Sequence, residues 1–352
     1  SRPPATRLPM PGRRRWADPR GRRASPDAAD PPAGGDTSRR KAVEPMTSRP
    51  IAVAPDTRPA MYEVMCRAVT AGGGRLVEPA DAEGLVWADP AGVDSFPEVV
   101  ADARNLEWIQ LPYAGIEPFA HHLDDRWTWT CGKGVYAPAV AETALGMILA
   151  GQKHLHGYSR ATSWSGPVGR VLAGSRITVL GGGGITEHLL PLLAPFGCDV
   201  TVVRRQDEAF SGADRTITTG RLFEVLPRTD VLVVALALTA ETTGIVGVAE
   251  LAALPDHAWL VNVARGGHVV TEDLAEALRS DSLGGAALDV TDPEPLPDGH
   301  PLWSEPRCLI TPHVANTPEM GLRLLEPFVA ENVSRFCSGE VLLAPVDVAL
   351  GY

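Results

Sequence analysis

The chain has 352 residues, 44% of them hydrophobic and 21% charged, with 32 basic against 43 acidic side chains, which is enough apolar content for a large core and enough length for two domains. Its apolar runs, such as residues 231–238, fall far short of the roughly 20 residues a membrane span requires, so no bilayer crossing is expected. Five cysteines, odd in number and without a C-x-x-C pair, indicate neither a disulfide framework nor a metal site, and a reducing, cytoplasmic setting is the simplest reading.

Residues 1–45 hold ten Arg, one Lys and nine Pro. With almost no apolar periodicity, such a segment cannot offset the entropy of ordering, and a disordered arm is expected. It reads as a tether or targeting peptide, or more simply as a dispensable extension, because Met46 opens a segment that soon looks like a folded start. Without the arm the body carries 21 basic and 38 acidic residues, a net charge of −17, which repels nucleic acid.

From Met46 onward, apolar strands alternate with amphipathic helices, the pattern of parallel sheets covered on both faces. The first run has a strand at 50–54, a helix near 59–70, strands at 84–88 and 107–111, and a long helix from about Pro138. The second run has six strands, at 176–180, 199–203, 231–236, 258–263, 285–290 and 307–311, the number a complete dinucleotide-binding sheet needs.

The first strand of that second run enters the turn Gly181-Gly-Gly-Gly-Ile-Thr186. A lone G-x-G-x-x-G is weak, but here a strand precedes it, a helix follows, and a second strand ends about 20 residues on, the setting in which the motif has a mechanism. Gly181 and Gly183 give the tight turn and let the backbone approach a pyrophosphate at a helix N-terminus. Thr186 stands where the third glycine belongs and is expected to widen the contact between helix and strand. Pro191 is expected to bend the helix. After the second strand come Arg204 and Arg205 where an NAD enzyme usually carries an acidic residue, which favours NADP(H), with NAD(H) as the alternative; the bland reading is a solvated strand end.

Three further segments each follow a strand: Val261-Asn-Val-Ala-Arg-Gly-Gly267, Ala287-Leu-Asp-Val-Thr-Asp-Pro-Glu-Pro295 and Ile310-Thr-Pro-His-Val-Ala-Asn-Thr317. Ligands of open α/β sheets bind at such carboxyl ends, so an arginine, two carboxylates and a histidine converge on one crevice. That set suits reduction of a 2-oxo acid: Arg265 pairs with the substrate carboxylate through its planar fork, His313 gives a proton to the oxyanion formed as hydride arrives, and Glu294 orients the imidazole.

These motifs, together with Gln110-Leu-Pro-Tyr-Ala-Gly115, Val140-Ala-Glu142 and the closing stretch from Val346 to Tyr352, resemble the D-isomer-specific 2-hydroxyacid dehydrogenase family over nearly everything from about residue 50. The resemblance implies that Arg265, Glu294 and His313 are the catalytic trio, that Asp289 holds the nicotinamide carboxamide, and that the backbone of Tyr113, Ala114 and Gly115 binds the substrate carboxylate. It implies cofactor contacts from Gly181, Gly183, Gly184, Ile185, Arg204, Arg205 and Ala264. It also implies two doubly wound α/β domains, with a Rossmann cofactor domain (149–316) inserted in a discontinuous flavodoxin-like substrate domain (46–148 and 317–352), two long crossing helices at 137–155 and from Pro318 to Cys337, and a homodimer formed through the cofactor domain. No amino-acid-sensing extension is expected after Tyr352.

Each residue has a bland alternative. Arg265 reads alone as an ion-pair partner, Glu294 as the start of a turn and Asp289 as a strand cap; all four site residues being structural is improbable when they recur in family order. His121, His122, His154 and His156 are given no role, while Trp164 and Tyr113 either line the pocket or fill the core beside it. Two rivals remain: a phosphoglycerate dehydrogenase-like enzyme, for which Arg58 is the nearby basic candidate, and a non-catalytic nucleotide-sensing protein of corepressor type, because fold alone does not fix function.

Overall fold

The computed structural model describes residues 48–348. The arm at 1–45, residues 46 and 47, and the closing residues 349–352 lie outside them. Five parallel strands, β1 (Pro50–Ala54), β2 (Arg75–Leu76), β3 (Gly84–Trp87), β4 (Trp108–Gln110) and β5 (Thr128–Thr130), form a first sheet in the order β2-β1-β3-β4-β5. β3 and β4 are buried on both faces, which is why they read as continuous apolar runs rather than as alternation. Trp87, Trp108 and Trp129, one from each of β3, β4 and β5, are among the largest fully buried side chains.

Seven parallel strands form a second sheet: β6 (Arg176–Leu180), β7 (Asp199–Arg204), β8 (Arg215–Thr218), β9 (Val231–Val234), β10 (Trp259–Asn262), β11 (Gly285–Leu288) and β12 (Cys308–Ile310), in the order β12-β11-β10-β9-β6-β7-β8. The six strands expected here are present, and β8 is a seventh. Its Arg-Thr-Ile-Thr sequence sits on the sheet edge against β7, where one face meets water and the apolar signal is weak. β2, two exposed residues, and β5, three residues, also escaped the sequence reading for want of length. The order reverses at β6, which pairs with β7 on one side and β9 on the other, and such a switch point opens a crevice at the strands' carboxyl ends.

The helices are α1 (Pro59–Ala71), α2 (Phe96–Val100), α3 (Ala137–Gln152), α4 (Leu155–Arg160), α5 (Gly184–Leu193), α6 (Val248–Ala253), α7 (Thr271–Arg279), α8 (Pro301–Ser304) and α9 (Pro318–Ser338). α3 leaves the first sheet and packs on α5 and β10 of the second. It stops at Gln152 rather than continuing to 155, because His154 takes a left-handed backbone (φ 53°) before α4 begins, a conformation no L-residue adopts within a helix. α9 carries the chain back: it packs on α1, and buried Asn332 ties it to the first sheet, donating to Gln110 Oε1 at 2.8 Å and accepting from Leu343 N at 2.7 Å. The fold is therefore α/β, with the second sheet inserted between the first sheet and its returning helix. Among the described residues no helix is long and apolar enough to cross a membrane.

Candidate active site

The three motif segments lie side by side, since β10, β11 and β12 are neighbours in parallel register. Beyond β10 the chain turns sharply. Buried Asn262 holds the turn from inside, its Nδ2 donating to Arg265 O at 2.9 Å and its Oδ1 accepting from Ala264 N at 3.1 Å. Gly266 lets the turn press on the next segment: a Cβ there would stand 1.9 Å from Thr291 O, so any larger residue would push Arg265 off the strand that carries Asp289. Arg265 is half-buried, and its Nη1 donates to Ala264 O at 2.8 Å.

Asp289 follows β11, is 2% exposed, and organises the histidine loop. Its Oδ1 accepts from Thr311 Oγ1 at 2.5 Å and from Val314 N at 2.9 Å, and its Oδ2 accepts from Ala315 N at 2.9 Å. Its backbone oxygen accepts from His313 N at 2.8 Å. His313 has φ 52°, a left-handed conformation that costs about 1 kcal/mol or more in an L-residue and persists only where surrounding bonds impose it; Asp289 supplies those bonds. So placed, the His313 ring presents Nδ1 to Glu294 Oε1 at 2.6 Å. Both side chains are close to half-exposed, open to a substrate arriving from solvent. Glu294 and His313 are thus in direct contact, and Arg265 projects from the adjoining strand end.

The glycine turn lies four strands along the same edge, roughly 20 Å from β12 at the usual strand spacing. Gly181 has φ 111°, and a Cβ on it would meet Ala235 O at 2.3 Å, so only glycine fits. Around a Cβ on Gly183 there is nothing within 4 Å, which leaves the open space a pyrophosphate needs at the start of α5, where Gly184 and Ile185 are the first residues. The residues present therefore fit a dinucleotide. Thr186 does more than widen a contact: fully buried, it donates Oγ1 to Gly181 O at 2.7 Å. Pro191 falls in the last turn of α5, which continues to Leu193. Arg204 ends β7 beside the turn, its Cδ 3.1 Å from where a Gly182 Cβ would stand and its guanidinium 5.9 Å from the Phe210 ring. Arg205 is exposed, within electrostatic reach of Glu241.

In the first sheet the segment after β4 carries Tyr113, Ala114 and Gly115. Ala114 is exposed. Tyr113 folds back: its ring lies 6.0 Å from Phe119, its hydroxyl donates to Pro90 O, and burial pushes its phenol above the usual range. Arg58 donates Nε to Asp89 Oδ1 at 2.6 Å, and Asp89 also accepts from Thr57 Oγ1 at 2.7 Å and Ala91 N at 2.9 Å. Burial works against the Asp89 carboxylate, but those hydrogen bonds prevail and hold it below its ordinary range. Arg58, the basic group a phosphoglycerate-type substrate needs, is therefore already paired. Trp164 neither lines a pocket nor fills the core; it is fully exposed. His156 is a satisfied core histidine between Ala150 O and Pro306 O. Among the described residues no group of three or more His, Cys, Asp or Glu is placed to hold a metal ion.

The family model of the D-isomer specific 2-hydroxyacid dehydrogenase NAD binding domain matches residues 145–315. A protein of Corynebacterium melassecola, described only by its place in the proB 3′ region, is 35% identical over 84% of this chain and 98% of its own length. A D-isomer specific 2-hydroxyacid dehydrogenase of Xanthobacter autotrophicus Py2, solved with NADPH and MES, superposes with a TM-score of 0.75 and 28% identity over 87% of this chain and all of that one. The chain belongs to the D-isomer specific 2-hydroxyacid dehydrogenases.

Within that oxidoreductase family, glyoxylate/hydroxypyruvate reductase A of Klebsiella pneumoniae strain 342 is 39% identical over 178 residues, which span half of this chain and 56% of the reductase. The NADPH-dependent glyoxylate/hydroxypyruvate reductase of Sinorhizobium meliloti, solved with NADP and sulfate, has a TM-score of 0.72 at 26% identity, over 87% of this chain and all of that one. In this dehydrogenase the supporting residues Asn262, Thr311, Asp89 and Phe210 went unassigned in the sequence reading. A buried Asn closing a strand before an Arg-Gly turn was the available signal for the first; the others depend on contacts across the sheets.

Proposed function

We propose that this dehydrogenase reduces small 2-oxo acids of the glyoxylate and hydroxypyruvate class to D-2-hydroxy acids, with NADPH favoured over NADH. The observation that carries the reading is the 2.6 Å contact between His313 Nδ1 and Glu294 Oε1 on the strand-end edge that also carries Arg265 and the glycine turn. The coenzyme, when bound, supplies the hydride. Arg265 holds the substrate carboxylate by paired charge-assisted hydrogen bonds, assisted by the backbone of Tyr113, Ala114 and Gly115. His313, oriented by Glu294 through Nδ1, keeps its Nε2 for the carbonyl oxygen and delivers the proton there as negative charge develops.

Asp289 accepts three hydrogen bonds from the histidine loop after β12, which leaves one lone pair on Oδ2 for the nicotinamide carboxamide. The turn at Gly181, Gly183, Gly184 and Ile185 takes the pyrophosphate, Ala264 borders the nicotinamide side, and Arg204, with Arg205, takes the 2′-phosphate. Related dehydrogenases solved with NADPH and with NADP, and the place of Arg204 beside Gly182, support that preference. We take 46–148 with 317–352 as the substrate domain and 149–316 as the cofactor domain. The five cysteines, none of them in a disulfide, suit a cytoplasmic enzyme. Leu155, Trp164, Val168 and Val171, each more than half exposed, give the cofactor domain an apolar surface for a second copy of this chain, and light scattering would show the dimer.

The test is a fluorescence titration with NADPH and NADH on a chain starting at Met46, followed by glyoxylate and hydroxypyruvate in the same cuvette. Tighter NADPH binding and loss of absorbance at the nicotinamide band with either acid are expected. Binding without turnover of any 2-oxo acid would favour the corepressor-type alternative.

A further inference from the structure

Four consecutive glycines, 181–184, give the cofactor turn great backbone freedom. Packing constrains Gly181, but nothing lies near enough to Gly183 to fix it. Such a stretch, left to itself, samples several orientations of its peptide planes. One side chain restricts it. Thr186 Oγ1 donates to Gly181 O at 2.7 Å with no part of the residue exposed. A threonine inside a helix ordinarily bonds back three or four residues, within its own helix. Here the acceptor is five residues back and outside α5, so the bond ties the helix to the turn.

The consequence follows from peptide geometry. In a planar trans peptide the carbonyl and the following N–H point in opposite directions, so a Gly181 carbonyl held towards the helix aims the Gly182 N–H away from it. Among the described residues that N–H has no hydrogen-bond partner, and Gly182 lies against Arg204 and Phe210. We propose that Thr186 is a positioning residue for the dinucleotide: its hydroxyl locks the Gly181–Gly182 peptide so that the donors of the turn face an incoming pyrophosphate. Close helix packing, the usual task of a glycine at this place, is exchanged for a hydrogen bond that preorganises the cradle. The inference rests on the coenzyme reading above.

The test compares wild type, Thr186→Ser and Thr186→Val as full chains, by NADPH affinity in fluorescence titration, by hydrogen exchange without coenzyme, and by thermal melting. Exchange is read at the Gly181 and Glu187 amides, whose bonds to Val203 O and Gly183 O bracket the turn. Serine keeps the hydroxyl and is expected to bind NADPH within about 3-fold of wild type. Valine keeps the shape and loses the donor, leaving a buried carbonyl unpaired; a roughly 10-fold weaker Kd, with faster exchange confined to the turn, is expected. Wild-type affinity and exchange in Thr186→Val would overturn the proposal, as would a uniform loss of protection across the chain, which marks a purely structural role. If wild type bound neither coenzyme, the proposed function and this role would both fall, while the exchange contrast would still show whether the hydroxyl restrains the turn.

Discussion

His313 Nδ1 stands 2.6 Å from Glu294 Oε1 although the two residues lie on loops after different strands. The contact exists because Asp289, just after the strand that lies between those preceding Arg265 and His313, fixes the His313 backbone in a left-handed conformation that points the ring at Glu294. If His313 is the proton donor, as proposed, its removal abolishes general acid catalysis, an effect of about 10²- to 10⁴-fold. His313→Ala is therefore expected to lower kcat by that range while NADPH affinity stays within about 2-fold. Glu294→Gln, which keeps the shape but not the charge, is expected to lower kcat by roughly 10-fold or more by the same argument. Steady-state turnover of glyoxylate, paired with the titration, reads both, and an active His313→Ala would remove the histidine from the mechanism.

Arg265 is placed by a turn that Gly266 and Asn262 define. Lysine keeps the charge but loses the planar two-pronged match to a carboxylate. Hydrogen bonds to charged groups contribute about 1.5–3 kcal/mol, so Arg265→Lys is expected to raise KM for the 2-oxo acid by roughly 10- to 100-fold, with NADPH binding unaffected. An unchanged KM would place the substrate carboxylate elsewhere.

A pH effect on stability comes from the opposite end of the second sheet. Burial works against the Asp230 carboxylate, but Arg176 donates to it from Nε, Nη2 and backbone N at 3.2, 3.1 and 2.8 Å, and His257 Nε2 lies 2.8 Å away; the balance lowers its pKa to about 2. Because the folded pKa lies below that of the unfolded chain, the stabilisation is complete above about pH 4 and is lost as pH falls towards 2. It amounts to something on the order of 2 kcal/mol. Asp230→Asn is expected to lower the melting temperature at pH 7 and to flatten its fall between pH 4 and pH 2. Parallel melting curves for the two proteins across that interval would refute the linkage.

The site was legible in the sequence to the extent that its chemistry sits in short contiguous motifs at strand ends. Arg265, Asp289, Glu294 and His313 each follow an apolar run long enough to read as a buried strand. Elements set by tertiary context were not legible: β8 is polar because it is an edge, and α3 ends early at His154. Side-chain direction was equally hidden. Tyr113 and Trp164 each read as pocket lining or core filler, yet Tyr113 turns its hydroxyl to Pro90 and Trp164 faces solvent, while Arg58, the basic candidate for a phosphate, meets Asp89 from another loop. Thr186 looked like damage to a motif, and only its distance to Gly181 O reveals the hydrogen bond.

Under the proposed function, Arg204 is expected to set coenzyme choice. It ends β7 half-buried, beside Gly182 and in reach of the Phe210 ring, so its guanidinium is held near the turn, whereas Arg205 is exposed with Glu241 in electrostatic reach. A 2′-phosphate gains from a fixed guanidinium, while a ribose 2′-hydroxyl prefers a carboxylate at this place. Arg204→Asp is thus expected to weaken NADPH by roughly 100-fold, the equivalent of about 3 kcal/mol for a lost charged hydrogen bond, and to leave NADH binding equal or tighter. Arg205→Ala should weaken NADPH by no more than about 3-fold, in the range typical of an exposed charge pair. Paired titrations of the two variants decide the matter. If Arg205 rather than Arg204 governs the ratio, the phosphate sits outside the Gly182–Phe210 wall, and the place of Arg204 beside the turn serves packing alone.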